Sequence, residues 1–332
     1  MSKTDGTLLV TGGAGFVGSH VVGELAARGH RVVVLDNLRT GHRAAVPADV
    51  EFHRLDLADA ASLDALFQSH RFSGVLHFAA LSLVGESMQQ PLMYLGDNTI
   101  NGLNLLKACA KHGVTRFVLS STAALFDQGG DKPIDEGTPI SPGNPYGESK
   151  YFIERMLHWA DQTLGIRSAC LRYFNAAGAH PSGDNGEDHR PETHLIPLVI
   201  QAALGRRPEI TVFGEDYPTP DGTCIRDYIH VLDLADAHIR VLDTLKARSV
   251  RYNLGTGAGH SVREVIRAVE EVGGRKVPVK QGPRRSGDPA VLVADPTAIK
   301  RDLGWSPRHG ELRAIVEHAW RWHERHPNGH AS

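Results

Sequence analysis

Cysteine is scarce in this chain: positions 109, 170 and 224 hold the three in 332 residues, and no two form a CxxC pair. An odd, scattered set supports neither a disulfide framework nor a zinc site of that kind, and it fits a reducing compartment. Excess charge of one sign is also missing, with 36 Lys and Arg against 38 Asp and Glu. A near-neutral chain has no field to gather nucleic acid or an anionic membrane surface, so neither is expected as a partner and any phosphate must be held locally. Long apolar runs are absent too. The opening MSKTDGTLLVTGG meets glycines before a signal peptide could form, and no later run reaches the roughly eighteen residues of a membrane span. A cytoplasmic location is the expectation. The 19 histidines contain no HExxH, and no metal centre is expected; His77, inside an apolar strand, reads as structural.

What is present is a globular composition, 41% hydrophobic and 22% charged, which excludes a disordered or fibrous chain. At 332 residues it exceeds what one core usually serves, so two lobes or one enlarged domain are expected. Short aliphatic runs at 8–10, 31–35, 74–78, 116–120 and 168–172 alternate with amphipathic stretches at 18–28, 60–69, 98–112 and 145–164. That alternation predicts an α/β fold, a doubly wound, Rossmann-like parallel sheet with ligands beyond the carboxyl ends of its strands. After residue 178 the composition turns to Gly, Pro, Asp and His, the entrance to a second, smaller substrate-binding α/β lobe. That lobe is predicted to hold helices at 195–204, 261–272 and 311–325 and a strand at 210–213, while the periodic 229–245 segment returns to the first sheet. The division is therefore 1–178 with about 224–258 for the first lobe, and 179–223 with 259–332 for the second.

Thr11-Gly12-Gly13-Ala14-Gly15-Phe16-Val17-Gly18 directly follows the first strand and opens the first helix. In a dinucleotide site Gly12 permits the tight turn, Gly15 lets backbone approach a pyrophosphate, and Gly18 lets helix pack on strand. The GxxGxxG spacing differs by one from the common dehydrogenase pattern, and a glycine loop alone could be a structural turn. Asp36 closes the second strand about twenty residues on, where a carboxylate binds ribose hydroxyls and repels a 2′-phosphate. NAD is favoured over NADP. A turn-forming Asp36 is the competing reading.

Tyr146-Gly147-Glu148-Ser149-Lys150 places Tyr and Lys four apart, on one helix face. Ser120-Ser121-Thr122 ends the fourth predicted strand, so hydroxyl and phenol can converge at one sheet edge. A phenol working as a base at neutrality needs its pKa lowered by about 3, or about 4 kcal/mol, which Lys150 and a cationic nicotinamide ring would supply.

With these motifs the chain resembles the extended short-chain dehydrogenase/reductase superfamily and, within it, the UDP-glucose 4-epimerases. The stretches LDNL, HFAALSLVGES, SSTAALF, NPYGESK, LRYFNAAGAHPSGDNGED, FGEDYPTPDGTCIRDYIHV, YNLGTG and PRRSGDP carry the likeness almost end to end. The resemblance implies Thr122, Tyr146 and Lys150 as the catalytic trio. It implies NAD contacts from Phe16, Val17, Asp36, Asn37, Asp56, Leu57, Phe78, Ala79, Ala80, Asn98 and Phe174, beside Tyr146 and Lys150. Asn175, His194, Leu195, Phe213, Arg226, Arg285 and Asp288 match UDP-sugar positions, the arginines suiting a diphosphate. It further implies a homodimer built on the helices at 98–112 and 145–164. Ser82 stands where some members carry lysine, Phe126-Asp127 replaces a frequent Tyr-Gly pair, and His194 is asparagine in other members.

The activity so implied is UDP-glucose/UDP-galactose 4-epimerisation, by transient oxidation at C4, turning of the 4-keto hexose and return of hydride from NADH. Leu292 matches a position that resembles a gate for the 2-acetamido group, with a plain core role as its alternative. Rival activities are epimerisation of another UDP-sugar (N-acetylhexosamine, uronate or pentose), a dehydratase, a simple NAD-dependent dehydrogenase, and a non-catalytic NAD-binding sensor. Ala123 and Ala124 after Thr122 lack the acids that dehydration needs.

Overall fold

In the computed structural model residues 6–126, 132–285 and 288–331 are described; Asp127 and the Ser286-Gly287 part of PRRSGDP lie outside them. Seven strands, β1 (Thr7–Thr11), β2 (Arg31–Asp36), β3 (Glu51–Arg54), β4 (Phe72–His77), β5 (Arg116–Thr122), β6 (Arg167–Tyr173) and β7 (Val250–Leu254), form one sheet. Their order is β7-β6-β5-β4-β1-β2-β3, every neighbouring pair parallel. The chain lays down β1 to β3 in one direction and β4 to β7 in the other. The switch point lies between β1 and β4, where such sheets bind ligands.

Both faces of the sheet are buried, which is why its inner strands read as unbroken apolar runs. Leu8 and Val10 join one core with the Phe16–Ala27 and Val231–Thr244 helices. Leu9, Phe117 and Leu119 join the other, with the helices Ala60–Ser69, Pro91–Lys111 and Pro145–Leu164. A third core gathers the helices Leu195–Ala203, Val262–Gly273 and Leu312–Arg325 around strand Ile210–Phe213. Among the described residues no helix is long and apolar enough to cross a membrane.

The expected elements differ in instructive ways. The run at 74–78 ends as a strand at His77, leaving Phe78 beyond the sheet edge. The helix expected from 98 begins at Pro91, the proline sitting at a first-turn position where its missing N–H costs nothing. β3 and β7 were not expected: as edge strands, Glu-Phe-His-Arg and Val-Arg-Tyr-Asn-Leu carry too few apolar side chains to announce themselves. Within 229–245, Tyr228–His230 pairs with Asn175–Ala177, and the helix Val231–Thr244 then covers the sheet, so it is β7 that enters it.

Candidate active site

The glycine loop leaves β1 at the switch point. Gly12 has φ +73°, and a Cβ added there would lie 2.3 Å from the Ala79 amide nitrogen. Gly18 is as constrained, since its Cβ would lie 2.1 Å from the Gly12 carbonyl oxygen. Gly15 differs: a Cβ there meets the protein only in ordinary contact at 3.4 Å, and it caps the Phe16–Ala27 helix without a side chain. Open amides at a helix start attract a pyrophosphate, and a missing Cβ lets it approach, so this cradle fits a dinucleotide. Phe16 and Val17 form the half-buried first turn.

Asp36 ends β2 beside the loop. Its carboxylate accepts from the Ala14 amide at 2.9 Å and the Leu38 amide at 2.8 Å, and burial raises its pKa. Asn37 donates to Asp56 at 2.9 Å, bringing two more expected positions together at the carboxyl edge. Leu57 sinks into the core. The amides of Phe78 and Ala79 both reach the Thr11 carbonyl, which sets the start of 78–80 against the glycine loop. His77 is structural in effect, buried with Nδ1 2.7 Å from the Thr11 hydroxyl and its pKa pushed down to about 3 by desolvation. Asn98, expected at the cofactor, is engaged within the protein. Its oxygen accepts from the Leu81 amide, and its amide nitrogen donates to the Leu81 carbonyl and the Ser149 hydroxyl, so it braces the loop after β4 against the Pro145–Leu164 helix.

That helix is placed by its first turn. Asn144 accepts from the Gly147 amide at 2.9 Å, Pro145 follows, and Gly165 closes the far end at φ +67°. Gly147 is needed because a Cβ there would lie 2.2 Å from the Ala124 carbonyl oxygen, so the helix start rests directly on the turn after β5. Tyr146 thereby comes under the influence of the Thr122 hydroxyl, and Lys150, 1% exposed, donates to the Ser120 carbonyl at 2.9 Å. The three expected catalytic side chains therefore converge at the end of β5. The protein's own groups do not lower the Tyr146 pKa: burial raises it, opposed by the Thr122 hydroxyl. The Lys150 ammonium is directed at Ser120 and is itself desolvated, its pKa pushed down to about 8. A further positive charge beside that of Lys150 is needed to make Tyr146 a base.

Two buried groups behind the trio went unread in the sequence. Glu154, one helical turn past Lys150, accepts from the Ser121 hydroxyl at 2.6 Å and pairs with Arg172 of β6. A charge inside the apolar run of β6 was the available signal. Asp227, fully buried, accepts from the Thr256 amide and hydroxyl and from the Gly257 and Ala294 amides, and its carbonyl receives the Asn175 amide. It ties Asn175, the Thr256-Gly257 turn and Ala294 into one unit.

The expected UDP-sugar positions assemble in part. Arg226 ion-pairs with Asp288, Arg285 lies 4.2 Å over the Phe213 ring, and Leu292 pairs in backbone register with Arg226. Phe174 and Leu292 share an apolar cluster with Ala123 and Phe126, so the gate position lies near the catalytic turn. Ser82 is exposed. His194 is engaged elsewhere, its Nδ1 2.7 Å from Glu187, and Leu195 packs into the third core.

This geometry has a counterpart among known proteins: the family model for the NAD dependent epimerase/dehydratase family matches residues 8–255. The chain belongs to that family. The UDP-glucose 4-epimerase of Halalkalibacterium halodurans is 50% identical over 327 residues, covering 98% of each chain. The Brucella ovis UDP-glucose 4-epimerase, solved with NAD, superposes with a TM-score of 0.92 at 43% identity, covering 96% of this chain and 98% of that one. The Bifidobacterium longum UDP-glucose 4-epimerase, solved with NAD⁺ and UDP, gives 0.92 at 39%, covering 97% and 99%. As an epimerase/dehydratase family member the chain uses NAD, and the glycine cradle, Asp36 and the 78–80 segment are the groups that fit it. The family accommodates elimination as well as epimerisation, and the turn after Thr122 bears on which. Ala123 and Ala124 form it, and the Ala124 amide donates to the Thr122 hydroxyl at 3.0 Å.

Proposed function

We propose that this chain is a UDP-glucose 4-epimerase, interconverting UDP-glucose and UDP-galactose. The observation that carries the reading is the convergence of Thr122, Tyr146 and buried Lys150 at the end of β5, next to a glycine cradle at the switch point. Residues 1–178 with 224–258 form the NAD-binding lobe, and 179–223 with 259–332 the UDP-sugar lobe.

Arg226, Arg285 and Asp288 hold the UDP, so the hexose alone is free to present either face. Thr122 and Tyr146 hold the C4 hydroxyl oxygen, and the Tyr146 phenol oxygen takes and later returns its proton. Bound NAD⁺ supplies the hydride acceptor and later donor at C4, together with the positive charge the phenol requires. Lys150 fixes the ribose side of that arrangement and keeps the proton path polar in a site shielded from water. The alanines after Thr122 offer no acid or base for elimination, which favours epimerisation over dehydration. Leu292 lines the space in which the 4-keto sugar turns, which supports the plain hexoses over the 2-acetamido sugars.

A homodimer is part of the reading. Leu92 (82% exposed), Ile100, Phe152 and Trp159 (59%) present apolar surface on the packed helices Pro91–Lys111 and Pro145–Leu164, a face suited to an isologous contact. Free Cys109, Cys170 and Cys224 suit a reducing, cytoplasmic setting. The test is to incubate purified protein with UDP-galactose and, separately, UDP-glucose, and resolve the products by chromatography. Both reactions should reach one common composition without net NADH; accumulation of NADH with an oxidised sugar would replace the reading with a simple dehydrogenase.

A further inference from the structure

Between β6 and the Leu195–Ala203 helix, four side chains outside the catalytic trio turn inwards on one point: Glu187, His189, Glu192 and His194, with donor atoms all within 4.8 Å of one another. We propose that they bind one divalent transition-metal ion, zinc by the chemistry of the donors.

Two imidazole nitrogens and two carboxylate oxygens are a zinc-type set, and tetrahedral zinc with bonds of about 2.0–2.1 Å separates its ligand atoms by about 3.4 Å. The spacings found bracket that edge. His194 Nδ1 lies 2.7 Å from Glu187 and 3.0 Å from Glu192, and His189 Nδ1 lies 3.1 Å from Glu187 and 3.8 Å from Glu192. Hydrogen bonding accounts for only part of this cluster, joining His194 Nδ1 to Glu192 at 3.0 Å. Each ring nitrogen carries at most one hydrogen, yet each is approached by two carboxylates. His189 Nδ1 is buried without a properly directed hydrogen bond despite its approach to Glu187. The two carboxylates favour protonated imidazoles, so binding would release those protons and leave two negative charges that a divalent ion offsets.

Independent features point the same way. A cavity of about 410 Å³ borders Glu187, His189 and Glu192 and gives an entry path. His323 lines it too, 7% exposed, with a buried Nε2 that has no partner. The ligands are also held from behind, as zinc ligands are. Glu192 accepts from the Thr193 and His194 amides, and the Glu187 carbonyl receives the Trp322 indole N–H at 3.0 Å. The ion would staple the 178–194 loop to the start of the Leu195–Ala203 helix and, through Trp322, to the Leu312–Arg325 helix. No HExxH announces it because the ligands come from irregular chain, one helix cap and a cis Arg190–Pro191 bend, not from one helix face.

The test is calorimetric titration of chelator-treated, dialysed full-length protein with zinc chloride, with cobalt(II) chloride followed in parallel by visible absorption. Wild type should take one equivalent per chain, and cobalt should give the intense visible band of a four-coordinate ion that zinc then bleaches. His189→Ala and Glu192→Gln, with folding checked by circular dichroism, should each weaken binding by about 100-fold. His53→Ala with His70→Ala, which removes the exposed Glu51, His53 and His70 group, should leave it intact. Absence of a stoichiometric site or of the four-coordinate cobalt band in wild type would overturn the proposal whatever the variants do. So would a site that persists in His189→Ala and Glu192→Gln, or one lost with His53 and His70.

Discussion

Glu154 and Arg172 meet as a bidentate pair, Nε at 2.9 Å and Nη2 at 2.6 Å from the two carboxylate oxygens, each residue 2% exposed. The Ser121 hydroxyl completes the carboxylate, so one pair joins β6, the end of β5 and the helix that carries Tyr146. Removing one partner leaves an uncompensated buried charge. Glu154→Ala is expected to destabilise the fold by about 3–5 kcal/mol in urea unfolding, whereas Glu154→Leu with Arg172→Met recovers most of that loss. A double variant no more stable than the single one would mean that the pair is not the coupled unit described.

Tyr146→Phe deletes only the phenolic oxygen. Activity should fall by about 10²–10⁴-fold with bound NAD and fold retained, and Thr122→Ala should cost less because it removes a partner and not the base. Initial rates with UDP-galactose and nucleotide content after denaturation check both, and activity of Tyr146→Phe within a few-fold of wild type would remove that side chain from the base role.

Lys150 titrates at about 8 in the folded protein, below the ordinary 10.5, because it is buried. Between those values the unfolded chain holds a proton that the folded chain has lost, so this group adds stability as pH rises through that window. Relative to Lys150→Met, wild type should gain about 3 kcal/mol from pH 7 to pH 11 in denaturant titrations. The ammonium itself is present below about pH 8, and its removal in Lys150→Ala should move the rate profile towards alkaline pH, where Tyr146 ionises unaided. An unmoved profile with measurable rates would contradict this.

Asp36→Ala removes the acceptor for the Ala14 and Leu38 amides as well as the ribose-binding carboxylate. Protein purified without added nucleotide should carry NAD and the variant less of it, as read by mass spectrometry of the denatured supernatant. NADP as the dominant species in wild type would be incompatible with the role given to Asp36.

Leu292, beside Arg226 in register and clustered with Phe126 and Phe174, should tune substrate breadth. Leu292→Ser is expected to raise kcat/KM for UDP-N-acetylglucosamine relative to UDP-glucose, and Leu292→Tyr to lower it, each by about 10-fold, the scale of a methylene-sized change in a pocket. If neither ratio moves, Leu292 is a core residue only.

Local pattern alone was enough for the glycine loop, Asp36 at a strand end, the helix 145–164 and the Tyr146–Lys150 face, because each depends on neighbours a few residues away: a turn that needs φ above zero, a proline at a helix start, a four-residue helical repeat. The apolar strands were legible for the same reason, since burial on both faces keeps the middle of each run apolar. The edge strands Glu51–Arg54 and Val250–Leu254 were not, because each is short and broken by polar residues, Glu51, His53 and Arg54 in one and Arg251 and Asn253 in the other. Only tertiary structure decided that Lys150 spends its ammonium on Ser120 and that Glu154 finds Arg172 across two elements. It alone brought Glu187, His189, Glu192 and His194 to a common point. Those arrangements depend on how helices and loops dock against the sheet, and the desolvation that shifts their charges exists only once water has been excluded by that docking.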